Sequence, residues 1–171
     1  MRAKHFNSKT LLAAVAAAVA LSLPSVSFAQ NAATANASAV VQQPVVVSKS
    51  NDLAFGNVFP GLNKTVAVTD AGAAAFSISG QSGANVNLTF TLPTALASGA
   101  NSLPLATWTA RRNATNSAAS GTDFTPGASA TSATLSGAGA MYVFVGATAQ
   151  PGVALPAGTY TGTLSLTVVY F

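Results

Sequence analysis

Cysteine and glutamate are absent from this sequence, and charge of either sign is scarce. Without cysteine there is no disulfide, no thiol nucleophile and no thiolate ligand for a metal. The single histidine, His5, lies within the first ten residues, so the rest of the chain has no imidazole to activate a serine or hold zinc. Charged residues make up 6% of the 171, against about 25% in ordinary soluble proteins. The surface is therefore covered by Ser, Thr, Asn and Gly. The formal charge of +4 is concentrated at the start, where Arg2, Lys4 and Lys9 sit. Beyond residue 29 only Lys49, Lys64, Arg111 and Arg112 face Asp52, Asp70 and Asp123, a net charge of +1. That excludes a basic surface for nucleic acid.

What is present begins with a three-part leader. A basic start is followed by an apolar run over residues 11–23, then Pro24 and the small-residue pattern Ser27-Phe28-Ala29. This is the pattern of a secretory signal peptide cleaved after Ala29. The run is too short for a membrane anchor, which needs roughly twenty apolar residues. The expected mature protein is residues 30–171, exported to the periplasm and then to the surface or medium, and not membrane-spanning.

The mature chain alternates with period two. Val86, Leu88, Phe90 and Leu92 are interleaved with Asn87, Thr89 and Thr91, the pattern of a strand with one face in a core. Residues 65–69 alternate in the same way, and Ala74, Phe76 and Ile78 share a face. Residues 105–111 read as a strand with Trp108 opposite Thr107 and Thr109. Residues 141–145 are continuously apolar, as in a central strand. Tyr160, Leu164, Leu166, Val168 and Tyr170 point one way along an alternating segment that runs to Phe171. Residues 93–104, 113–127 and 150–158 read as connections, and residues 113–133 as a long loop. Helical periodicity is missing. The expected fold is one all-β, Ig-like antiparallel sandwich over residues 44–171, preceded by an extended arm.

The arm, residues 30–43, has its own alternation. Ala33, Ala35, Ala37, Ala39 and Val41 fall on one face, and Pro44 follows before a Val-Val-Val run. Three readings stand: a disordered tail, the domain's own first strand, or a donor strand that pairs with a neighbouring subunit.

The end of the chain carries the most specific pattern. Tyr170 is penultimate, Val168, Leu166 and Leu164 alternate before it, and Gly158 is fourteenth from the end. This resembles the C-terminal motif of pilus subunits assembled by the chaperone–usher pathway. In that family the periplasmic chaperone grips this strand, which later lines the groove filled by the next subunit's arm. A second resemblance rests on Asp52-Leu53-Ala54-Phe55-Gly56-Asn57-Val58, on residues 142–148 and on residues 157–162. These look like a secreted bacterial domain family of unknown function, allied to pilins and akin to common-pilus (Mat/Ecp) and spore-coat-U-like fimbrial subunits. The resemblances imply a fimbrial subunit whose partners are copies of itself or related subunits, a periplasmic chaperone and an outer-membrane usher. The subunit-interaction residues they imply are Ala33, Ala35, Ala37, Ala39, Val41, Gly158, Leu164, Leu166, Val168 and Tyr170.

Catalytic chemistry is not expected. The three acids read as turn residues, Arg111-Arg112 as a solvated strand end, and Gly158-Thr159-Tyr160 as a corner where the Tyr hydroxyl bonds backbone. No catalytic site, cofactor or metal is expected. The leading expectation is a structural subunit of a surface fibre, joined by donor-strand exchange. The alternative is a self-contained secreted module with an adhesin-like binding role.

Overall fold

A computed structural model describes residues 31–171; the leader, residues 1–29, lies outside the described residues. Ten strands and no helix are found among them. They are β1 (Val46–Asn51), β2 (Lys64–Val66), β3 (Ala74–Ser79), β4 (Asn85–Thr91) and β5 (Ala95–Ser98), then β6 (Asn101–Asn113), β7 (Thr122–Phe124), β8 (Thr131–Thr134), β9 (Ala140–Ala149) and β10 (Ser165–Tyr170). The larger sheet runs β1-β3-β9-β6-β5, with β2 also on β9 and β7 also on β6; the smaller runs β10-β4-β8. Every pairing is antiparallel. The domain is an all-β sandwich.

Period two decides which side chains enter the core. Ala74, Phe76 and Ile78 of β3 and Val86, Leu88 and Phe90 of β4 are buried, while their neighbours point outward. β9 lies between β3 and β6, and eight of its ten residues are buried, which is why its sequence does not alternate. Gly146 in β9 is required by close approach: a Cβ there would overlap the carbonyl oxygen of Val66 in β2. A second cluster, around Phe55, Leu103, Leu105 and Ala149, fills one end of the sandwich. Leu53 and Trp108 pack against both clusters.

Four expectations change. Residues 113–133 are not one loop: β7 and β8 lie within them. The side-chain amide of Asn113 donates to the carbonyls of Ser117 and Ser120, at 2.9 and 3.0 Å, and pins the connection. Residues 93–104 contain a hairpin, β5 to β6, rather than a connection alone. The alternation at residues 65–69 ends after Val66 in a turn, where Asp70 accepts from the Ala67 amide at 2.9 Å. The last strand begins at Ser165, so residues 160–164 precede it, held by a single bridge from Thr161 to Ala97.

β6 also departs from strict alternation. Its pairing with β9 shifts between Ala106 and Thr109, and Thr107 has φ +50°. Leu103 and Leu105 are buried before the bulge, and Ala110 is buried after it. Asp123 lies in β7, not in a turn, and it engages Arg111 of β6.

Candidate functional site

Four of the sequence-derived residues, Leu164, Leu166, Val168 and Tyr170, lie in β10 or just before it. Among the described residues β10 has β4 on one side and no strand on the other. In its register with β4, Ser165 faces Thr91 and Tyr170 faces Val86. The Phe171 amide donates to the Asn85 carbonyl, which extends the hydrogen-bonded pairs to the odd-numbered residues. The N–H and C=O groups of Leu166, Val168 and Tyr170 therefore face the open edge. Such a row of unpaired groups is a template for another strand.

The apolar stripe of β10 faces the core but is incompletely covered. Val168 is 7% exposed, whereas Leu166 and Tyr170, with Leu164 just before the strand, are half-buried against the same core. Across from them, β1 forms the edge of the larger sheet, and β1 and β10 are in contact. Val45 and Val47, likewise half-buried, complete the opposite wall. The two edges thus bound a seam of partly covered aliphatic side chains. Toward Leu164 the seam widens into a cleft of about 380 Å³, lined by Phe55, Trp108, Tyr160 and Leu164 and rimmed by Lys49 and Asp52. Lys49 and Asp52 are paired at 2.7 Å, and both are exposed.

Tyr170 closes the other end of the seam. Its hydroxyl accepts from the Gln81 amide at 2.7 Å and donates to the Gln43 carbonyl at 2.8 Å. One side chain thereby joins the last strand, the turn after β3 and the segment that leads into β1. Gly80 is needed beside it, because a Cβ there would overlap the Tyr170 hydroxyl. Gly158 lies near the Ser98 side chain in a separate, larger cleft. The Tyr160 hydroxyl donates to the Pro156 carbonyl at 2.8 Å, so the expected corner is present.

The arm positions are placed differently. Ala33, Ala35, Ala37 and Ala39 are exposed and in no strand. Val41 is 94% exposed and also in no strand. The first strand among the described residues is β1. The sequence reading missed Trp108, Leu53 and the β1 edge as walls of the seam. The Pro-Val-Val-Val start was the available signal for that edge.

Arg111 is more than a solvated strand end. Its guanidinium donates to both carboxylate oxygens of Asp123, at 2.5 and 2.9 Å, and to the Ala118 carbonyl at 2.8 Å. Hydrogen bonding from Arg111 holds the Asp123 carboxyl below the ordinary carboxylate range, against a smaller opposing effect of desolvation. The same bonds raise Arg111. Arg112 donates to the Ser132 carbonyl of β8 and so ties the two sheets together. Among the described residues no cluster of three or more His, Asp or Glu side chains is arranged to hold a metal.

Residues 45–170 match the family described as a domain of unknown function, DUF4402. No curated protein matches the chain. The match spans most of the sequence, and the chain belongs to the DUF4402 family.

Proposed function

We propose that this member of the DUF4402 family is a structural subunit of a bacterial surface fibre, and that its subunits join by donor-strand exchange. The observation that carries the reading is the open edge of β10, whose backbone groups at Leu166, Val168 and Tyr170 have no partner strand among the described residues while its apolar stripe is half covered. An added strand would satisfy those groups and cover Leu164, Leu166 and Tyr170 at once. The alternating arm with Ala33, Ala35, Ala37, Ala39 and Val41 is the segment suited to that place. Small side chains fit a narrow seam between two sheets, and Val41, the bulkiest, is suited to the wider cleft. Each ladder bond contributes about 0.5–1.5 kcal/mol net. Export through the leader, with a periplasmic chaperone and an outer-membrane usher as handlers, belongs to the same reading.

Deletion of residues 30–42 tests it. The truncated chain should fold and be exported but form no fibres by electron microscopy. Surface material from the intact chain should give a ladder on electrophoresis before boiling, and the truncated chain should give none. Normal fibres from the truncated chain would overturn the donor-strand role.

A further inference from the structure

The arm joins the domain at a fixed point. The backbone of Gln43 is held on both sides: its amide donates to the Gln81 side-chain oxygen at 3.3 Å, and its carbonyl accepts from the Tyr170 hydroxyl at 2.8 Å. Gln81 lies just past the end of β3, and Val46, three residues after Gln43, pairs with Ser79, the last residue of β3. The root of the arm therefore lies at the Tyr170 end of the seam. Only Gln42 stands between this anchored residue and Val41, the bulkiest member of the alternating face.

This placement decides what an arm can reach. At about 3.3 Å per residue Val41 lies within about 7 Å of Gln43, whereas Leu164 and Tyr170 are about 20 Å apart along the extended chain. A chain's own Val41 thus stays at the Tyr170 end, and the cleft beside Leu164 lies beyond its reach. Running back from Gln43 along β10, a chain's own arm would be parallel to that strand and would set alanines in the wide cleft. A second copy's arm is free of both limits. Antiparallel to β10, it sets Val41 at the cleft, its alanines along the narrowing seam, and its own Gln43 outside the seam.

The two faces and the cleft leave one register. A slip of one residue would turn the alanines to water, so the allowed registers differ by two. With Val41 opposite Leu164, the residues opposite Leu166, Val168 and Tyr170 are Ala39, Ala37 and Ala35, and all four members of the apolar stripe are covered. Two residues further out, Val41 falls opposite Gly162, which has no side chain to pack on and already has Leu96 against it: a Cβ there would lie 2.8 Å from the Leu96 side chain. Two residues further in, Gln43 falls opposite Leu164, and entering the seam would break its bonds to Tyr170 and Gln81 of its own domain.

We propose that the Gln43 anchor is a register stop: the arm of one copy enters the next antiparallel to β10 and halts with Val41 opposite Leu164. Gln42 alone then separates the joined domains. The inference rests on donor-strand exchange and adds to it a polarity, a register and the residues that set them.

Cross-linking tests the register, because the chain has no cysteine of its own. On the outward face the same register sets Ser38 opposite Thr167. The backbone groups of Thr167 face β4, so this pair is of the non-hydrogen-bonded kind, with Cα atoms about 4.5 Å apart, a separation that a disulfide spans. Ser38, Ser165, Thr167 and Val169 are all exposed, so cysteine at these positions leaves the fold intact. Fibres of the full mature chain carrying Ser38→Cys with Thr167→Cys, oxidised and then boiled without reductant, should give a covalent ladder. Ser38→Cys with Ser165→Cys and Ser38→Cys with Val169→Cys report the outer and inner registers, and each should give at least about fivefold less cross-linked material. Adding Tyr170→Phe and Gln81→Ala removes the stop and should raise the yield of the Val169 pair about threefold or more. A dominant Ser165 or Val169 product in fibres that form normally would overturn the register and leave strand exchange standing. Cross-links confined to single chains would show the arm closing its own seam and overturn the proposal. An unchanged product distribution after removal of the anchor would overturn the stop. Absence of fibres and of the unboiled ladder from the unaltered chain would overturn the reading on which the register rests, and the register with it.

Discussion

Replacing Tyr170 by Phe removes one oxygen and leaves the ring in place. That oxygen bonds the Gln81 amide at 2.7 Å and the Gln43 carbonyl at 2.8 Å. Each bond contributes about 0.5–1.5 kcal/mol net, and a covered donor left without a partner costs about 1–3 kcal/mol. The first bond is partly buried and the second is exposed, so water recovers some of this, and the expected loss is about 1–2 kcal/mol. For a domain of this size that is a fall of about 4–8 °C in the thermal midpoint. Gly80 supplies a second, independent check. A Cβ at Gly80 would overlap the Tyr170 hydroxyl and approach the Leu135 side chain. Gly80→Ala should therefore be destabilising by about 1–3 kcal/mol through overpacking. Tyr170→Phe vacates part of that space, so Gly80→Ala should cost less in that background, with a coupling of at least about 0.5 kcal/mol. Calorimetry on the four proteins of the cycle measures both effects. An unchanged midpoint in Tyr170→Phe, or strictly additive effects, would refute the account of Tyr170 as the tie between the last strand and the start of β1.

Val168→Asp should abolish accumulation of the exported chain, because it sets a carboxylate at a 7%-exposed core position; Leu166→Asp, at a half-buried position, should reduce accumulation less, as immunoblotting of periplasmic extracts would show. Arg111→Ala should raise the Asp123 pKa toward the ordinary carboxylate value, measured by NMR titration, since the Arg111 hydrogen bonds hold it down. With the folded value below the unfolded one, the ion pair's contribution is full above the unfolded pKa and is lost as pH falls through the folded value. Acid unfolding should therefore be less pH-dependent in Arg111→Ala below about pH 4. Val41→Asp should weaken fibre assembly more than Ala33→Asp, counted as fibres per cell by electron microscopy. N-terminal sequencing of exported material should begin at Gln30.

Where one sheet face is buried, the strands were legible in the sequence. Val86, Leu88 and Phe90 alternate because β4 has a core face and a wet face, and residues 141–145 do not because β9 is covered by neighbours and by the other sheet. β7 and β8 were not legible. They are three and four residues long, and Thr131 to Thr134 offers only Thr, Ser and Ala. What places them is tertiary: the Arg111–Asp123 pair, and the Ser132 hydroxyl donating to the Asn87 side-chain oxygen at 3.0 Å. The bulge at Thr107 was hidden for a different reason. A one-residue slip exchanges the two faces of a strand, so Leu105 and Ala110 are both buried although strict alternation would set them on opposite faces. The β10 stripe was legible from its alternation. That its outer edge is unpaired was not, because sequence alternation says which face is apolar and nothing of which strand lies beside it.

Amide hydrogen exchange along β10 tests strand addition most directly. Thr167 and Val169 donate toward β4, whereas the amides of Leu166, Val168 and Tyr170 face the open edge. In isolated subunits the account predicts slow exchange at Thr167 and Val169 and fast exchange at Leu166, Val168 and Tyr170. In assembled fibres all five should be slow, because the arm of a second copy has taken the open side. Fast exchange at Leu166, Val168 and Tyr170 in intact fibres would contradict donor-strand exchange as the way these subunits join.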